Sequence, residues 1–122
     1  MGNPFVHVEL QTQDLGKAKK FYQGLFDWRL EDVPGIPPMG YTMVHVGEGT
    51  GGGMMKCPVS GAPSQWLPYI LVDDVKASTK KAKGLGAKVV QDVTEVPNYG
   101  WFSVVADPTG ATVGLWQAKD GK

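Results

Sequence analysis

Cysteine and histidine are scarce in this chain of 122 residues. Cys57 is its one cysteine, and it contains two histidines. A single cysteine excludes an internal disulfide and a cysteine-rich zinc site, and it suits a reducing compartment. We therefore expect Cys57 to be a packing residue rather than a nucleophile.

Long apolar runs and charge of one sign are also missing. No stretch approaches the ~18 apolar residues of a membrane-spanning helix, and the N-terminus lacks a basic start followed by an apolar run. Twelve Lys plus Arg balance twelve Asp plus Glu, and the two signs are interleaved along the chain. These features predict neither a nucleic-acid partner nor a membrane partner, and they favour a cytoplasmic protein.

What the chain does contain is a repeated apolar pattern. Hydrophobic residues make up 42% of it, including four each of Phe, Tyr and Trp, which is enough for the core of one domain. An offset of 60 residues places Asp14 over Asp74 and Tyr41 over Trp101 without a gap. A repeat of this length indicates two copies of one structural unit.

Each half has the same predicted order of elements. An alternating strand leads into an aspartate that can cap an amphipathic helix, and three shorter extended segments follow. The sequence predicts one α+β domain made of two βαβββ modules with half-barrel sheets, at about 4–57 and 66–118, joined by a linker at 58–65. The predicted strands span 5–11, 27–33, 40–47, 52–57, 66–72, 87–93, 101–106 and 111–117.

Side chains alternate between the two faces of a strand, so parity predicts which ones turn away from the helices. The predicted set is Phe5, His7, Glu9, Gln11, Tyr41, Met43, His45, Met54, Lys56, Leu67, Tyr69, Leu71, Trp101, Ser103, Thr112, Gly114 and Trp116. Aromatic walls with a few polar groups are typical of small-molecule sites. The alternative is that these rings only fill the core or cover a dimer interface. The predicted ligand contacts are Tyr41, His45, Met54, Tyr69, Trp101 and Trp116.

Six motifs follow one another in a characteristic order: FVHVEL, DLGKAKKFYQGLFDW, GGGMM, WLPYILVDDVKAS, LGAKVV and ADPTGATVGLWQ. Together they resemble the vicinal-oxygen-chelate superfamily, which includes glyoxalase I, bleomycin-resistance proteins, fosfomycin-resistance proteins and extradiol dioxygenases. The resemblance covers nearly the whole chain. It is greatest to a glyoxalase-like subgroup without an established reaction, so it implies the fold more firmly than an activity.

The resemblance also bears on metal binding. Metal-dependent members hold a divalent ion through four inward positions, which fall here on His7, Met54, Leu67 and Gly114. Met, Leu and Gly side chains supply no oxygen or imidazole donor for such an ion. We therefore predict no metal and no other cofactor; a rearranged site built from His7, Glu9 and His45 is the alternative.

Two classes of function stay open. The first is metal-independent binding of a small aromatic or carbonyl ligand. The second is a lyase, an isomerase or a glyoxalase I-like enzyme, with or without a metal, in which His7 or Glu9 acts as general base and Tyr69 as proton donor or anchor. Exposed sheet faces and edges predict a homodimer, with the modules paired within one chain or exchanged between chains.

Overall fold

A computed structural model describes residues 2–33, 41–57 and 61–119. The predicted βαβββ order occurs twice in it, and the α+β class is confirmed. The elements are β1 (Phe5–Thr12), α1 (Leu15–Leu25), β2 (Arg29–Val33), β3 (Tyr41–His45), β4 (Gly52–Lys56), β5 (Gln65–Leu71), α2 (Val75–Gly84), β6 (Lys88–Val96), β7 (Gly100–Ala106) and β8 (Thr112–Ala118).

Both helices begin directly after an aspartate that closes their first turn. The Asp14 carboxylate accepts a hydrogen bond from the backbone N–H of Lys17 at 3.0 Å, and Asp74 does the same for Ala77 at 3.1 Å. Each cap satisfies an amide that the helix itself leaves unpaired. Across the described ranges, no helix has the length and apolar character needed to cross a membrane.

The chain divides into two compact units, which we describe separately. The first unit is His7–Leu67, and the second combines the N-terminal residues through Val6 with the chain from Pro68 onward. These boundaries lie inside β1 and β5 rather than in the predicted linker at 58–65, and Gln65 already belongs to β5. Residues 58–60 of that linker lie outside the described residues.

The first unit packs a four-stranded sheet on α1. The strand order is β2-β3-β4-β1, with β1 and β4 parallel and the other pairs antiparallel. Leu10, Val44 and Met54 form its buried core. Partly buried residues around them are Leu15, Ala18, Tyr22, Trp28, Leu30 and Val46. The side chains that alternate with Leu10 and Val44 therefore face away from α1.

The second unit repeats this arrangement with the strand order β5-β8-β7-β6. Strands β5 and β8 are parallel, and β7 pairs antiparallel with both of its neighbours. Thr79 of α2 is buried, and its hydroxyl lies 2.8 Å from the hydroxyl of Ser103 on β7. This contact identifies the sheet face that α2 covers.

The two units do not keep the 60-residue offset throughout. Glu9 lies opposite Gly53 in the first unit, and Tyr69 lies opposite Gly114 in the second. The offset is therefore 60 at the first strand of each unit and 61 at the last. A one-residue slip moves every side chain of a strand to the other face, so the 60-residue offset, which equates Met54 with Gly114, is wrong for the last strand of each unit.

Candidate functional site

Three polar side chains meet on the face of the first unit that turns away from α1. We call His7, Tyr41 and Glu9 the polar cluster. The Tyr41 hydroxyl lies 2.6 Å from Nε2 of His7 and donates a hydrogen bond to Oε1 of Glu9 at 2.9 Å. His7 and Tyr41 are half-buried, whereas Glu9 is only 6% exposed. Strand β1 supplies two members and β3 supplies the third, so the sheet brings together residues far apart in sequence.

Hydrogen-bond chemistry assigns a direction to the polar cluster. A phenol has one hydrogen, and Tyr41 uses it for the Glu9 carboxylate. Nε2 of His7 must therefore be the donor to the Tyr41 oxygen, because two acceptors do not form a hydrogen bond. The geometry thus favours a protonated Nε2 on His7.

Burial acts on the charge state of the same cluster. Loss of solvent lowers the pKa of His7 below its ordinary value, which favours the neutral ring near pH 7. Gln11, two residues beyond Glu9, donates its amide N–H to Oε2 of that carboxylate at 2.8 Å. Sequence parity placed Gln11 on this face, but only the structure brings it to Glu9.

A glycine lies beneath the tyrosine of the polar cluster. A β-carbon built on Gly53 would overlap the ring of Tyr41, so the ring occupies the space above that glycine. A glycine inside a strand often marks such a close approach. Sequence reasoning missed Gly53, although the run of three glycines before Met54 was a usable signal.

The face assignment of Met54 is wrong. Met54 is 0% exposed and packs in the core with Leu10 and Val44, because it lies opposite Leu10 in the pairing of β1 with β4. Lys56 lies two residues further along β4, so it is on the same side of the strand as Met54 and is also not on the predicted face. Met55 takes that face instead, opposite Gln11.

His45 shares the face but has a different neighbour. Its Nε2 lies 2.8 Å from the Glu31 carboxylate on the adjacent strand β2. In residues 2–33, 41–57 and 61–119, no group of three or more His, Cys, Asp or Glu side chains is placed to hold a metal ion. The alternative site of His7, Glu9 and His45 is therefore not assembled in the described structure.

The second unit carries an aromatic cluster on its face away from α2. The Tyr69 ring fills the space above Gly114 and lies edge-on to Phe102, with ring centroids 6.2 Å apart. Trp116, which lies opposite Phe102, shares this face as predicted. Phe102 was missed because the one-residue slip put Trp101 in its place.

Trp101 and Ser103 lie on the opposite face from the predicted one. Ser103 contacts Thr79 of α2, and Trp101 has the same parity on β7. The ammonium group of Lys119 lies 4.6 Å from the Trp101 ring centroid, a cation–π contact. Ligand contact by Trp101 or Trp116 and a proton-donor role for Tyr69 stay predictions.

The residues at the four inward positions do not fit a divalent ion. His7 offers an imidazole, but Leu67 is apolar. On the fourth strand the inward residue is Gly53, because Met54 lies in the core. The last position, Gly114, lies under the Tyr69 ring as Gly53 lies under Tyr41. One nitrogen donor cannot replace the several waters that such an ion must lose.

A separate cleft of about 430 Å³ opens on the helix side of the first unit. Its aromatic lining includes Tyr22, Phe26, Trp28 and Trp66, and the rings of Tyr22 and Trp66 meet edge to face at 5.4 Å. This cleft is the open end of the core around Val44 and lies across the sheet from the polar cluster. The fluorescence of Trp28 and Trp66 would therefore respond to a molecule bound in this cleft, on the helix side of the sheet.

Comparisons with known sequences agree with the fold. Residues 5–115 match the sequence pattern of the Glyoxalase/Bleomycin resistance protein/Dioxygenase superfamily. CFP32 of Mycobacterium tuberculosis is 40% identical over 116 residues, covering 91% of this chain and 44% of CFP32. Its name describes it as a glyoxylase. Anthracycline biosynthesis protein DnrV of Streptomyces peucetius is 26% identical over 89% of this chain and 45% of its own length. The chain thus spans less than half the length of these curated relatives.

Solved structures with the same fold include a methylmalonyl-CoA epimerase from Mycobacterium tuberculosis. It superposes with a TM-score of 0.67 at 15% identity, covering 92% of this chain and 85% of the epimerase. The protein BH1468 from Bacillus halodurans C-125 superposes with a TM-score of 0.69 at 14% identity, covering 95% of this chain and 94% of that one. At such identities the likeness shows the fold alone.

Proposed function

We propose that this chain, which belongs to the Glyoxalase/Bleomycin resistance protein/Dioxygenase superfamily, binds a small organic ligand through its polar cluster without a metal ion. The observation that carries the proposal is the hydrogen-bonded contact of Tyr41 with both His7 and Glu9. Polar groups that are at least half-buried and joined in this way are held in one orientation, which is what a binding site needs before its ligand arrives.

The neighbours of the polar cluster favour a carbonyl or aromatic ligand. Met43 lies opposite Gly53, and Met55 lies opposite Gln11, so two thioethers share the face with the polar groups. Methionine sulfur makes favourable contacts with aromatic rings. The Gln11 amide has two hydrogens and gives one to Glu9, so a carbonyl oxygen of the ligand could accept the other while the rest of the molecule lies against the methionines.

A ligand screen tests the proposal. A panel of small aromatic aldehydes and ketones is added to the protein, with and without EDTA, and binding is followed by saturation-transfer NMR. We expect members of the panel to bind equally with the chelator present, and Glu9→Gln to weaken them. Glu48→Gln, an exposed change in a loop of the same unit, is the matched control and should leave binding intact. Absence of binding, or binding that needs added metal, would contradict the proposal.

A second candidate is an isomerase-type enzyme that removes a proton next to a carbonyl. Glu9 favours it, because this carboxylate is almost fully buried yet held by Tyr41 and Gln11. In such a step Glu9 takes the proton from carbon, leaving an enolate, and later returns a proton to the same carbon.

Hydrogen exchange distinguishes the two functions. Any ketone of the panel that binds and carries α-hydrogens is incubated with the protein in D₂O, and its α-proton signals are followed by NMR. An enzyme exchanges these protons faster than buffer does, and Glu9→Gln abolishes the acceleration. A binding protein leaves the exchange rate at the level of the control without protein.

A further inference from the structure

Metal-dependent members of the superfamily hold the ion with a side chain on the fourth strand, where this chain has a glycine covered by a ring. Gly53 lies opposite Glu9, and its open side is filled by Tyr41 from the neighbouring strand. Any side chain added at position 53 would have to displace that ring. The misfit to a metal is therefore more than a missing donor, because another residue of the chain occupies the space.

The hydroxyl of that ring is also hydrogen-bonded to the two side chains, His7 and Glu9, that could bind a cation on this face. It accepts from Nε2 of His7 at 2.6 Å and donates to Glu9 at 2.9 Å. A nitrogen that binds a metal must present a lone pair. Because Nε2 of His7 carries a proton directed at Tyr41, this atom is in the wrong form for coordination.

We infer that Tyr41 takes the place of the metal ion on this face: its ring fills the space above Gly53, and its hydroxyl joins His7 to Glu9. Tyr41 is thus a positioning residue that fixes the imidazole tautomer and the carboxylate orientation. The inference concerns the same site as the proposed function, but its test needs no ligand, so either can fail without the other.

The tautomer of His7 is the first readout. In ¹⁵N-labelled protein near neutral pH, the ring nitrogen shifts distinguish a proton on Nε2 from one on Nδ1. We expect His7 to be held in the Nε2-protonated form, and Tyr41→Phe, which keeps the ring and removes the hydroxyl, to abolish this preference. Tyr22→Phe is the matched control, because it removes a hydroxyl from the opposite side of the same sheet.

Cobalt binding is the second readout. Co²⁺ is added to the wild-type chain and to the double variant Tyr41→Ala, Gly53→His, which removes the ring and supplies a second imidazole opposite Glu9. Coordination gives visible absorption bands. We expect the bands in the double variant and not in the wild type, and we expect His7→Ala in the variant background to remove them.

Each readout can overturn the inference. It is wrong if the wild type binds stoichiometric Co²⁺ in a manner lost with His7→Ala, or if His7 is protonated on Nδ1. An unchanged tautomer in Tyr41→Phe also contradicts it, and this conservative variant decides the matter if the double variant does not fold. If Tyr41→Phe leaves the His7 tautomer unchanged while Glu9→Gln abolishes ligand binding, this inference fails and the proposed function stands.

Discussion

The ring of Tyr41 covers Gly53 on the neighbouring strand so closely that a β-carbon on the glycine would overlap it. The contact is diagonal, because Gly53 lies opposite Met43, two residues along β3 from the tyrosine. Aromatic rings on strands reach such diagonal neighbours. The side chain on β3 and the missing side chain on β4 are therefore matched in shape.

This relationship predicts that Gly53→Ala destabilises the protein. The added methyl group must push the ring away, and overpacking of this kind lowers the free energy of unfolding by about 1–3 kcal/mol. Gly24→Ala is the matched control: it lies in α1 with open space around it, and it should raise stability by about 0.5–1 kcal/mol. Urea unfolding measures both. A Gly53→Ala variant as stable as the wild type would show that the ring moves aside freely.

The buried hydroxyl pair of the second unit gives a second prediction. Thr79→Val leaves Ser103 without its 2.8 Å partner, and an unsatisfied buried hydroxyl lowers the free energy of unfolding by about 1–3 kcal/mol. Adding Ser103→Ala should recover part of the loss, since both polar groups are then removed. The two single variants and the double variant form a mutant cycle. Strict additivity in that cycle would mean that the two hydroxyls do not interact.

Burial of His7 predicts how stability depends on pH. Because desolvation places the folded-state pKa of His7 below its unfolded value of about 6.5, the unfolded chain binds a proton first as pH falls. The free energy of unfolding should therefore decrease as pH falls from about 6.5 towards the folded-state pKa, and the loss is complete below that pKa.

Urea unfolding of the wild type and of His7→Gln at about pH 7.5 and about pH 5.5 measures this contribution. Other titrating groups are common to both proteins, so they cancel in the comparison. We expect the wild type to lose more stability on acidification than His7→Gln. Equal losses would mean that burial does not disfavour the charged imidazole.

The exposed side of α1 bears on the predicted homodimer, which we retain as a proposal. Phe21 is 59% exposed and Leu25 is 57% exposed, so the first unit presents large apolar side chains to solvent. Exposed apolar groups of this kind favour association. Light scattering should give a mass near twice that of one chain over a wide concentration range. A mass of one chain throughout that range would refute the proposal.

The sequence by itself determined the elements and their order. Aspartates at 14 and 74 predicted both helix starts, because a carboxylate there satisfies the first free amides. Alternating apolar residues, together with the Gly- and Pro-containing turn signals between segments, predicted all eight strands to within a few residues. These signals are local, since each depends on neighbours within one or two helical turns, and so a single sequence contains them.

Only the tertiary structure decided which faces the later strands present. A strand has a period of two. The second unit has one more residue than the first between the start of its helix and the matching position of its third strand. This extra residue turns every side chain of β7 to the other face while the apolar alternation of the sequence stays the same. Because of that slip, the counterpart of Gly114 is Gly53 rather than Met54, and Phe102 rather than Trp101 lies beside Tyr69. The contact of His7 with Tyr41 also spans 34 residues and depends on strand register. Register is set by pairing between distant segments, and this is why it had to come from the folded chain.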